Sequence, residues 1–300
     1  MAYRHLFIEN PAKISLRNRQ LVIETDRKHS VPVEDISVLL IENRQTSITG
    51  AALSCLGENG AAVYFCDEKH VPCAVLTPFA NHSRGLAVLR SQLDCSEPRK
   101  KRLWQKIVQA KIANQARCLE FCRGKEASGI VSAYGGKVLS GDSGNAEAAA
   151  AVKYFPLLFG PDFTRCDEDV LNASLDYGYA ILRGCIARYI AVYGLLPVLG
   201  LHHRSELNRF NLADDLIEPF RPLVDLMVFS MEELHGDEFT PDCKKLLFGC
   251  LSMEILSGGQ RHGVAYAAER LVKSLTRALT DEKADLCLPG LLPLKLHTYE

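Results

Sequence analysis

Two imidazoles and several carboxylates fall within one short stretch of this chain that otherwise reads as core. His202 and His203 are followed by Asp214, Asp215 and Glu218. Residues three or four positions apart share one face of a helix, so Glu218 can lie beside either aspartate. If the segment after the histidines folds back, an imidazole joins that face. Carboxylate oxygens with one imidazole nitrogen suit Mg²⁺ or Mn²⁺ better than a metal that prefers thiolates.

The same residues also have a purely structural explanation. One histidine can make an ordinary hydrogen bond in the core, and Asp214 and Asp215 can face solvent near a helix N-terminus, where the helix dipole favours acids. Local sequence does not decide between this explanation and a metal site. A third ligand would favour the metal site, and Glu147 is a candidate because its small alanine neighbours let two helices approach closely. Glu147 too can be explained as a first-turn glutamate stabilised by the helix dipole.

The charge of the chain is segregated along the sequence. The net charge is −1, from 35 basic and 36 acidic residues. Basic residues concentrate between Arg99 and Lys125, and acidic residues between Glu206 and Asp242. A helix over residues 104–116 would have an apolar face and a basic remainder. Such a face is usually just solvated, but the excess of one sign favours contact with phosphates.

A weaker candidate for phosphate contact lies nearer the C-terminus. It consists of the segment 258–262 and the basic residues of the helix predicted after it. Those basic residues are Arg270, Lys273 and Arg277.

Several classes of protein are disfavoured by the sequence. It contains no GxSxG, no GxGxxG and no P-loop motif, which argues against serine-hydrolase and nucleotide-cofactor chemistry. The eleven cysteines include no CxxC pair and often lie in apolar runs, as expected in a reducing cytosol. Neither a signal peptide nor a membrane-spanning apolar run is present, so we expect a cytoplasmic protein without membrane contact.

The pattern of apolar residues predicts an α+β protein with two unequal parts. Residues 1–78 read as a small β-sandwich-like domain of short strands with one helix near 49–58, capped by Thr49. Residues 79–85 read as a linker, and residues 86–300 as a larger all-α catalytic domain. Within that domain we predict helices over 86–94, 98–123, 146–156, 167–195, 211–235, 241–254 and 260–280.

Motifs along most of the chain resemble one known family, the CRISPR-associated integrase that inserts new spacers, in its type II form. The motifs occur in the family's order in the β domain, the linker, the basic helix and the catalytic half. They are Val31–Ile36, Asn59–Phe65, His82–Gly85, Trp104–Gln115, Glu147–Phe155, Leu171–Leu182 and Gly200–Asp225. This chain has Asp176 where the family often has serine, a change that does not involve the family's metal ligands.

The resemblance implies a β domain followed by a helical domain, and a homodimer assembled in part through residues 1–78. Two such dimers flank a dimer of a small partner protein. It also implies a divalent metal, Mg²⁺ or Mn²⁺, bound by a glutamate, a histidine and an acidic residue. Carried over by motif, these are Glu147, His203 and Glu218. The ligand is the second histidine of the pair, and Asp215 is a supporting or alternative ligand.

The implied reaction is a transesterification on double-stranded DNA. The 3′-hydroxyl of a captured fragment attacks a phosphodiester at the edge of a repeat, and water in place of that hydroxyl would give endonuclease activity. From charge and position alone we expect DNA contacts at Arg84, Lys106, Lys111 and Arg261. Two alternatives stay open, namely a repair nuclease that acts alone on branched DNA and a DNA-binding scaffold without activity.

Overall fold

The computed structural model describes residues 4–68, 72–76, 85–235 and 239–297. In these segments the chain is a mixed α+β protein, as predicted, with strands at the N-terminal end and mostly helices after them. None of the helices in the described segments is both long and apolar enough to cross a membrane.

Two four-stranded sheets form the N-terminal part. The strands are β1 (Arg4–Ile8), β2 (Lys13–Arg17), β3 (Gln20–Glu24), β4 (Lys28–Pro32), β5 (Ile36–Ile41), β6 (Ser47–Ile48), β7 (Ala62–Cys66) and β8 (Pro72–Leu76). One sheet has the order β1-β5-β7-β8 and the other β4-β3-β2-β6. The helix α1 (Gly50–Glu58) begins where it was predicted, with the Thr49 hydroxyl accepting a hydrogen bond from the Ala52 amide at 3.3 Å.

The central strand β5 is buried on both faces, which explains its unbroken apolar sequence. Leu39 packs with α1 and the second sheet in one apolar cluster. Val38 and Leu40 belong instead to the larger cluster formed with the C-terminal helices. The first sheet therefore lies between the β domain's own core and the helices that carry the candidate site.

Nine helices follow in the described segments, most of them close to predicted positions, but the helix Lys125–Ser132 was not predicted. They are α2 (Gly85–Asp94), α3 (Glu97–Arg123), α4 (Lys125–Ser132), α5 (Ala146–Phe159), α6 (Val170–Val192), α7 (Asn211–Ile217), α8 (Arg221–His235), α9 (Pro241–Phe248) and α10 (Val264–Ala278). The segment predicted as one helix over 211–235 is two helices, joined by a 3₁₀ turn at Glu218–Phe220. That turn contains Pro219, whose ring cannot fit an undisturbed helix interior.

The expectation of an all-helical C-terminal part is incorrect. The strands β9 (Glu254–Ser257), β10 (Gln260–Gly263) and β11 (Pro289–Gly290) form a three-stranded sheet with β9 in the middle. Gly258 and Gly259 both have positive φ and make the tight turn between β9 and β10. The predicted helix over 260–280 therefore begins only at Val264. Of the predicted linker 79–85, only Gly85, the first residue of α2, lies within the described residues.

Polar anchors and close packing join the first sheet to the helices. The Tyr64 hydroxyl on β7 donates a hydrogen bond to the Ile181 carbonyl on α6 at 3.1 Å. Arg188, also on α6, is buried and donates to the Gly60 carbonyl and to the Ser37 hydroxyl. Polar groups that leave water need partners, and these buried donors find theirs across the boundary between the two parts.

Candidate active site

The long helix α3 is the element around which the candidate site is assembled. Trp104, Lys111 and Asn114 are all buried on its inner side. Trp104 and Lys111 are seven residues apart, which is about two helical turns, so both project from the same face. The helix predicted to contact phosphates thus has an inward face that supports the catalytic candidates.

Glu147 and Glu218 meet at one cationic group, the ammonium of Lys111. Nζ of Lys111 lies 2.5 Å from Oε1 of Glu147 and is also in close contact with Oε2 of Glu218. Glu147 comes from the first turn of α5, and Glu218 from the turn between α7 and α8. Carboxylates from distant parts of the sequence therefore converge on a single cation position.

The loop before α5 fixes the position of Glu147. Asp142 is buried, and its carboxylate accepts hydrogen bonds from the backbone amides of Ala146 at 2.8 Å and Glu147 at 3.0 Å. It thereby satisfies amides of the first turn that lack a partner within the helix. Gly141 has φ +70°, and a Cβ there would lie 2.9 Å from Cγ of Lys101. The tight turn that delivers Asp142 to the helix thus requires glycine.

Glu218 is held by a second cation, and the backbone of the residue after it is anchored by Asn114. Oε1 of Glu218 accepts a hydrogen bond from Nε of Arg221 at 2.8 Å. The next carbonyl, that of Pro219, accepts a hydrogen bond from the side-chain amide of Asn114 at 2.7 Å, and that amide also reaches the carbonyl of Pro289 at 3.0 Å. Asn114 therefore ties the turn that carries Glu218 to α3 and to the C-terminal sheet.

His203 is oriented by Asp215, which is completely buried. Oδ1 of Asp215 lies 2.7 Å from Nδ1 of His203. The same carboxylate accepts hydrogen bonds from the backbone amides of Leu201, His202 and His203 at 2.5, 3.1 and 3.1 Å. A side chain at Gly200 would place its Cβ 2.4 Å from the His203 carbonyl oxygen, so glycine is required for this close approach.

The two histidines of the pair have different surroundings. The His202 ring stacks on Trp104 at a centroid distance of 4.4 Å and an interplanar angle of 4°. The His203 ring meets Trp104 edge-on at 5.7 Å. Among the described residues no hydrogen bond is made by Nε2 of His203, so that nitrogen is available as a ligand once Nδ1 donates to Asp215. This geometry supports His203, and not His202, as the candidate metal ligand.

The charges at the site stabilise one another. Burial favours a neutral Lys111, but Glu218 and Glu147 outweigh that effect and raise the pKa of the ammonium above its ordinary value. Burial also opposes ionisation of Glu218, but Lys111 and Arg221 lower its pKa to about 2. The hydrogen bond to Asp215 raises the pKa of His203 despite partial burial. At neutral pH, Lys111 and Glu218 are therefore both charged.

The donor set fits a hard divalent cation, although the side chains do not form an assembled ligand cluster. Two carboxylates converge, and Oε2 of Glu218 accepts no hydrogen bond of good geometry despite its contact with Lys111. Within the described segments no three His, Cys, Asp or Glu side chains form a group that could hold a metal ion. The Lys111 ammonium lies where the two carboxylate groups meet.

His203 and Arg221 line one open cleft on the surface. The cleft is bordered also by Tyr179 and Arg183. Arg183 is paired with Asp214, with Nε 2.7 Å from Oδ1. The Arg221 guanidinium lies over the Tyr179 ring at 4.5 Å. The cleft therefore presents two guanidinium groups beside His203, together with the carboxylates of Asp176 and Asp214 that also line it.

The residues predicted to contact DNA are placed differently from one another. Lys111 is only 8% exposed and is bound by two carboxylates, which does not fit a surface contact with a phosphate. Lys106 is at the surface, with Nζ 2.8 Å from Oδ1 of Asp285. Arg261 on β10 is largely exposed and pairs with Glu254 at 3.2 Å. Arg84 lies outside the described residues.

The basic stretch around α3 is engaged largely within the protein. Arg99 is buried and donates hydrogen bonds to the carbonyls at the C-terminal end of α10 and just beyond it, including that of Ala278 at 2.9 Å. Arg102 pairs with Glu282 at 3.1 Å. Segregation of charge in the sequence therefore does not become a uniformly basic surface, because acidic residues from elsewhere fold onto it.

A buried polar cluster behind the site was not predicted from the sequence. Asp225 on α8 is 1% exposed and accepts hydrogen bonds from the hydroxyls of Tyr154, at 2.8 Å, and Tyr179. Burial raises the pKa of Asp225 to about 6 despite these two bonds. Periodicity alone could have indicated its inward position, since Asp225 falls among buried apolar residues of α8, but its tyrosine partners are distant in sequence.

Comparison with known proteins identifies relatives over the whole chain. A sequence profile described as CRISPR associated protein Cas1 matches residues 6–137 and 161–249. A protein of Neisseria meningitidis serogroup C (strain 8013) named CRISPR-associated endonuclease Cas1 is 46% identical over 304 aligned positions, which cover 100% of both chains. Glu147 lies between the two segments that the profile matches, whereas His203 and Glu218 lie inside the second.

Solved structures share the fold at lower sequence identity. One, entitled casposase bound to integration product, has a TM-score of 0.77 at 19% identity and covers 94% of this chain and 93% of that one. A chain of a Cas6-RT-Cas1–Cas2 complex has a TM-score of 0.69 at 18% identity and covers 93% of this chain and 35% of that longer one.

Proposed function

The chain belongs to the Cas1 family of CRISPR-associated proteins, and we propose that it inserts foreign DNA fragments as new spacers into a CRISPR array by a metal-dependent transesterification. The observation that carries this proposal is the convergence of Glu147 and Glu218 on one cation position, beside a cleft that His203 lines. Family membership supports the DNA endonuclease and integrase activity. The metal and its ligands are inferred from the chemistry of the side chains.

Glu147, Glu218 and His203 would hold the metal, the first two through carboxylate oxygens and the third through Nε2. Oxygen-rich sites with one imidazole suit Mg²⁺ and Mn²⁺. A bound divalent ion supplies Lewis-acid stabilisation of charge on the phosphate oxygens and favours ionisation of the attacking hydroxyl.

The protein's own residues position the reacting groups. Asp215 keeps Nδ1 of His203 occupied and leaves Nε2 as the nitrogen that would bind the metal. Asp142 and Asn114 fix the backbone segments that carry Glu147 and Glu218. Guanidinium groups along the cleft would bind phosphates on either side of the scissile bond, which orients the 3′-hydroxyl and its target without base-specific contacts.

We extend the proposal to partners and to the DNA surface. The similarity to a chain of the Cas6-RT-Cas1–Cas2 complex supports a small Cas2-type partner protein, and the similarity to a casposase bound to integration product supports DNA as the substrate. We also propose a homodimer formed partly by the β domain, in which β4 is an edge strand available for pairing. Lys106 and Arg261 remain in the proposed DNA-contacting set, and Lys111 does not.

A strand-transfer assay tests the function directly. Supercoiled DNA with a CRISPR repeat is incubated with a short duplex bearing a free 3′-hydroxyl, with and without the partner protein and with Mg²⁺, Mn²⁺ or EDTA. We expect joined product only with metal and partner, and none from Glu147→Gln. Glu126→Gln is the matched control, because Glu126 is also a first-turn glutamate, on α4, but is exposed.

Two results of this assay would favour the alternatives. Cleavage of branched DNA without the partner and without any joined product would indicate a repair nuclease. DNA binding that is unchanged in EDTA and in Glu147→Gln, together with absence of any product from the wild-type protein, would indicate a scaffold.

A further inference from the structure

Lys111 lies at the centre of the proposed metal site rather than beside it. Its ammonium contacts one oxygen of each carboxylate that the proposal assigns to the metal. The side chain is nearly inaccessible to solvent, so the contacts are made inside the protein. Any cation that binds these same oxygens must therefore take the place of the ammonium.

The local charges balance with Lys111 in position. Glu147 and Glu218 contribute two negative charges, and Lys111 and Arg221 contribute two positive ones. A buried charge without a partner is strongly unfavourable, so these four groups depend on one another. The addition of a divalent cation gives the cluster a surplus of two positive charges, which is reduced to one when one of the two basic side chains withdraws.

Lys111 is the basic side chain able to withdraw. Arg221 binds Glu218 through the other oxygen, Oε1, and its guanidinium is also held over the Tyr179 ring. Its contacts are compatible with a metal on Oε2. Lys111 contacts the converging oxygens themselves, and its flexible four-carbon stem ends in a compact charge that can be relocated.

We propose that Lys111 is an internal counter-ion that holds Glu147 and Glu218 together and competes with the divalent metal for their carboxylates. Metal binding then requires displacement of the Lys111 ammonium, and Lys111 sets the metal affinity. This inference rests on the metal site of the proposed function. It assigns Lys111 a positioning role and excludes it from the set of residues proposed to contact DNA.

Direct measurement of Mn²⁺ binding tests the proposal without reference to activity. Calorimetric titration compares the wild-type protein with Lys111→Met, Lys111→Arg and the control Lys106→Met, which removes a lysine from the exposed side of the same helix. We expect Lys111→Met to bind Mn²⁺ about tenfold or more tightly, because repulsion between an ammonium and a divalent ion this close exceeds that factor at a partly solvated site. Damage to the fold would weaken binding, so a gain in affinity is not explained by a structural role.

The other variants complete the test. Lys111→Arg keeps the charge and can bind both carboxylates at once, so its Mn²⁺ affinity should fall below that of the wild type. If Lys111→Met unfolds without metal and refolds on addition of Mn²⁺, the counter-ion role is supported. If Lys111→Met does not fold with or without Mn²⁺, the Mn²⁺ affinity of Lys111→Arg relative to the wild type tests the competition instead.

Two outcomes overturn the inference in distinguishable ways. Equal Mn²⁺ affinities in the wild type, Lys111→Met and Lys111→Arg would refute the competition while leaving the metal site intact. If the wild type does not bind Mn²⁺, or binds it equally well as Glu147→Gln, the metal site of the proposed function fails, and the competition fails with it.

Discussion

Oδ1 of Asp215 binds His203 twice, at 2.7 Å from the ring nitrogen Nδ1 and at 3.1 Å from the backbone amide. The ring and its backbone are thus held by one buried atom. The hydrogen bond favours the protonated imidazole and raises the pKa of His203, although partial burial opposes this. Asp215 therefore controls both where Nε2 points and at what pH that nitrogen becomes free to bind a metal.

Asp215→Asn should lower the pKa of His203 and weaken Mn²⁺ binding. A histidine ligand must lose its proton, so wild-type affinity for Mn²⁺ should increase as the pH rises through the raised pKa of His203. In the variant this increase should occur at lower pH, and the affinity reached at high pH should be about 10- to 100-fold weaker because the ring has lost its orienting partner. NMR titration of the ring and calorimetry at several pH values measure the two effects.

Asp214→Asn is the matched control for this prediction. Asp214 is adjacent in sequence but pairs with Arg183, and its charge is the weakest of the named influences on His203. If Asp214→Asn lowered the pKa of His203 as much as Asp215→Asn does, the pKa would be controlled by nearby negative charge in general and not by the hydrogen bond.

The pair also makes stability depend on pH in a defined direction. The pKa of His203 is raised in the folded protein, so its contribution is fully present below the ordinary pKa of about 6.5 and is lost as the pH rises through the raised value. His203→Gln should therefore reduce the thermal midpoint more at pH 6 than at pH 8.5. The difference should be small because the side chain is 42% exposed. A larger decrease of the thermal midpoint at pH 8.5 than at pH 6 would contradict a raised pKa of His203 in the folded protein.

Glu218→Ala and Glu147→Ala should differ in stability although both should abolish strand transfer. Glu218 is buried and paired with Lys111 and Arg221, so its loss leaves two cations without that partner and should cost about 3–5 kcal/mol. The Glu147 side chain is 27% exposed, and Lys111 keeps Glu218 when it is removed, so we expect a cost of about 1 kcal/mol. Urea denaturation in EDTA measures both. Equal losses would contradict the argument that the deeper burial and second cationic partner of Glu218 make it the more costly carboxylate to remove.

Local spacing indicated only the cluster from His202 to Glu218, whereas the choice of Glu147, His203 and Glu218 as metal ligands came from the family resemblance. Glu218 follows Asp215 by three residues, and helical geometry alone places them on related faces. Most strands and helices followed from apolar periodicity and from caps such as Thr49. The β9–β10 hairpin was missed because its turn, Gly258-Gly259, was read as part of a phosphate-contacting segment at the start of a helix.

The role of Lys111 could not be predicted because its partners lie far along the chain. Within α3 it is one of several basic residues, and local pattern gives all of them the same interpretation, a solvated or phosphate-contacting face. Its burial depends on where α5 and the turn at Glu218 pack against α3. Asn114 is similar, since it binds carbonyls at Pro219 and Pro289 that are remote in sequence.

Gly184→Ala should destabilise the contact between the first sheet and α6. A Cβ at this position would lie 2.0 Å from Cε1 of Tyr64, whose hydroxyl is already held by the Ile181 carbonyl. Alanine would otherwise stabilise a helix by about 1 kcal/mol, but overpacking costs about 1–3 kcal/mol and should be at its largest beside an anchored ring. We therefore expect Gly184→Ala to lower the free energy of unfolding measured by chemical denaturation.

Gly129→Ala is the matched control for this position. Gly129 also lies within a helix, α4, but a Cβ there would meet no atom within 4 Å. It should raise stability or leave it unchanged. The prediction would be refuted if both alanine variants changed stability in the same direction by the same amount.

Lys106→Glu should weaken DNA binding, and Asp285→Asn should strengthen it. Lys106 is at the surface, and its partner Asp285 lines a cleft that also contains Arg270, Lys273 and Arg277. Phosphate contacts are independent of base sequence and release counterions, so Lys106→Glu should reduce affinity equally for unrelated duplexes. The slope of log affinity against log salt concentration should become shallower by about 0.9 for each phosphate that the variant no longer neutralises. Asp285→Asn removes a competing carboxylate and should have the opposite effect on affinity.

Fluorescence anisotropy over a salt series measures both variants, with Lys273→Glu as the comparison. If Lys106→Glu keeps the wild-type slope while Lys273→Glu flattens it, the DNA follows α10 and Lys106 is only a solvated residue paired with Asp285.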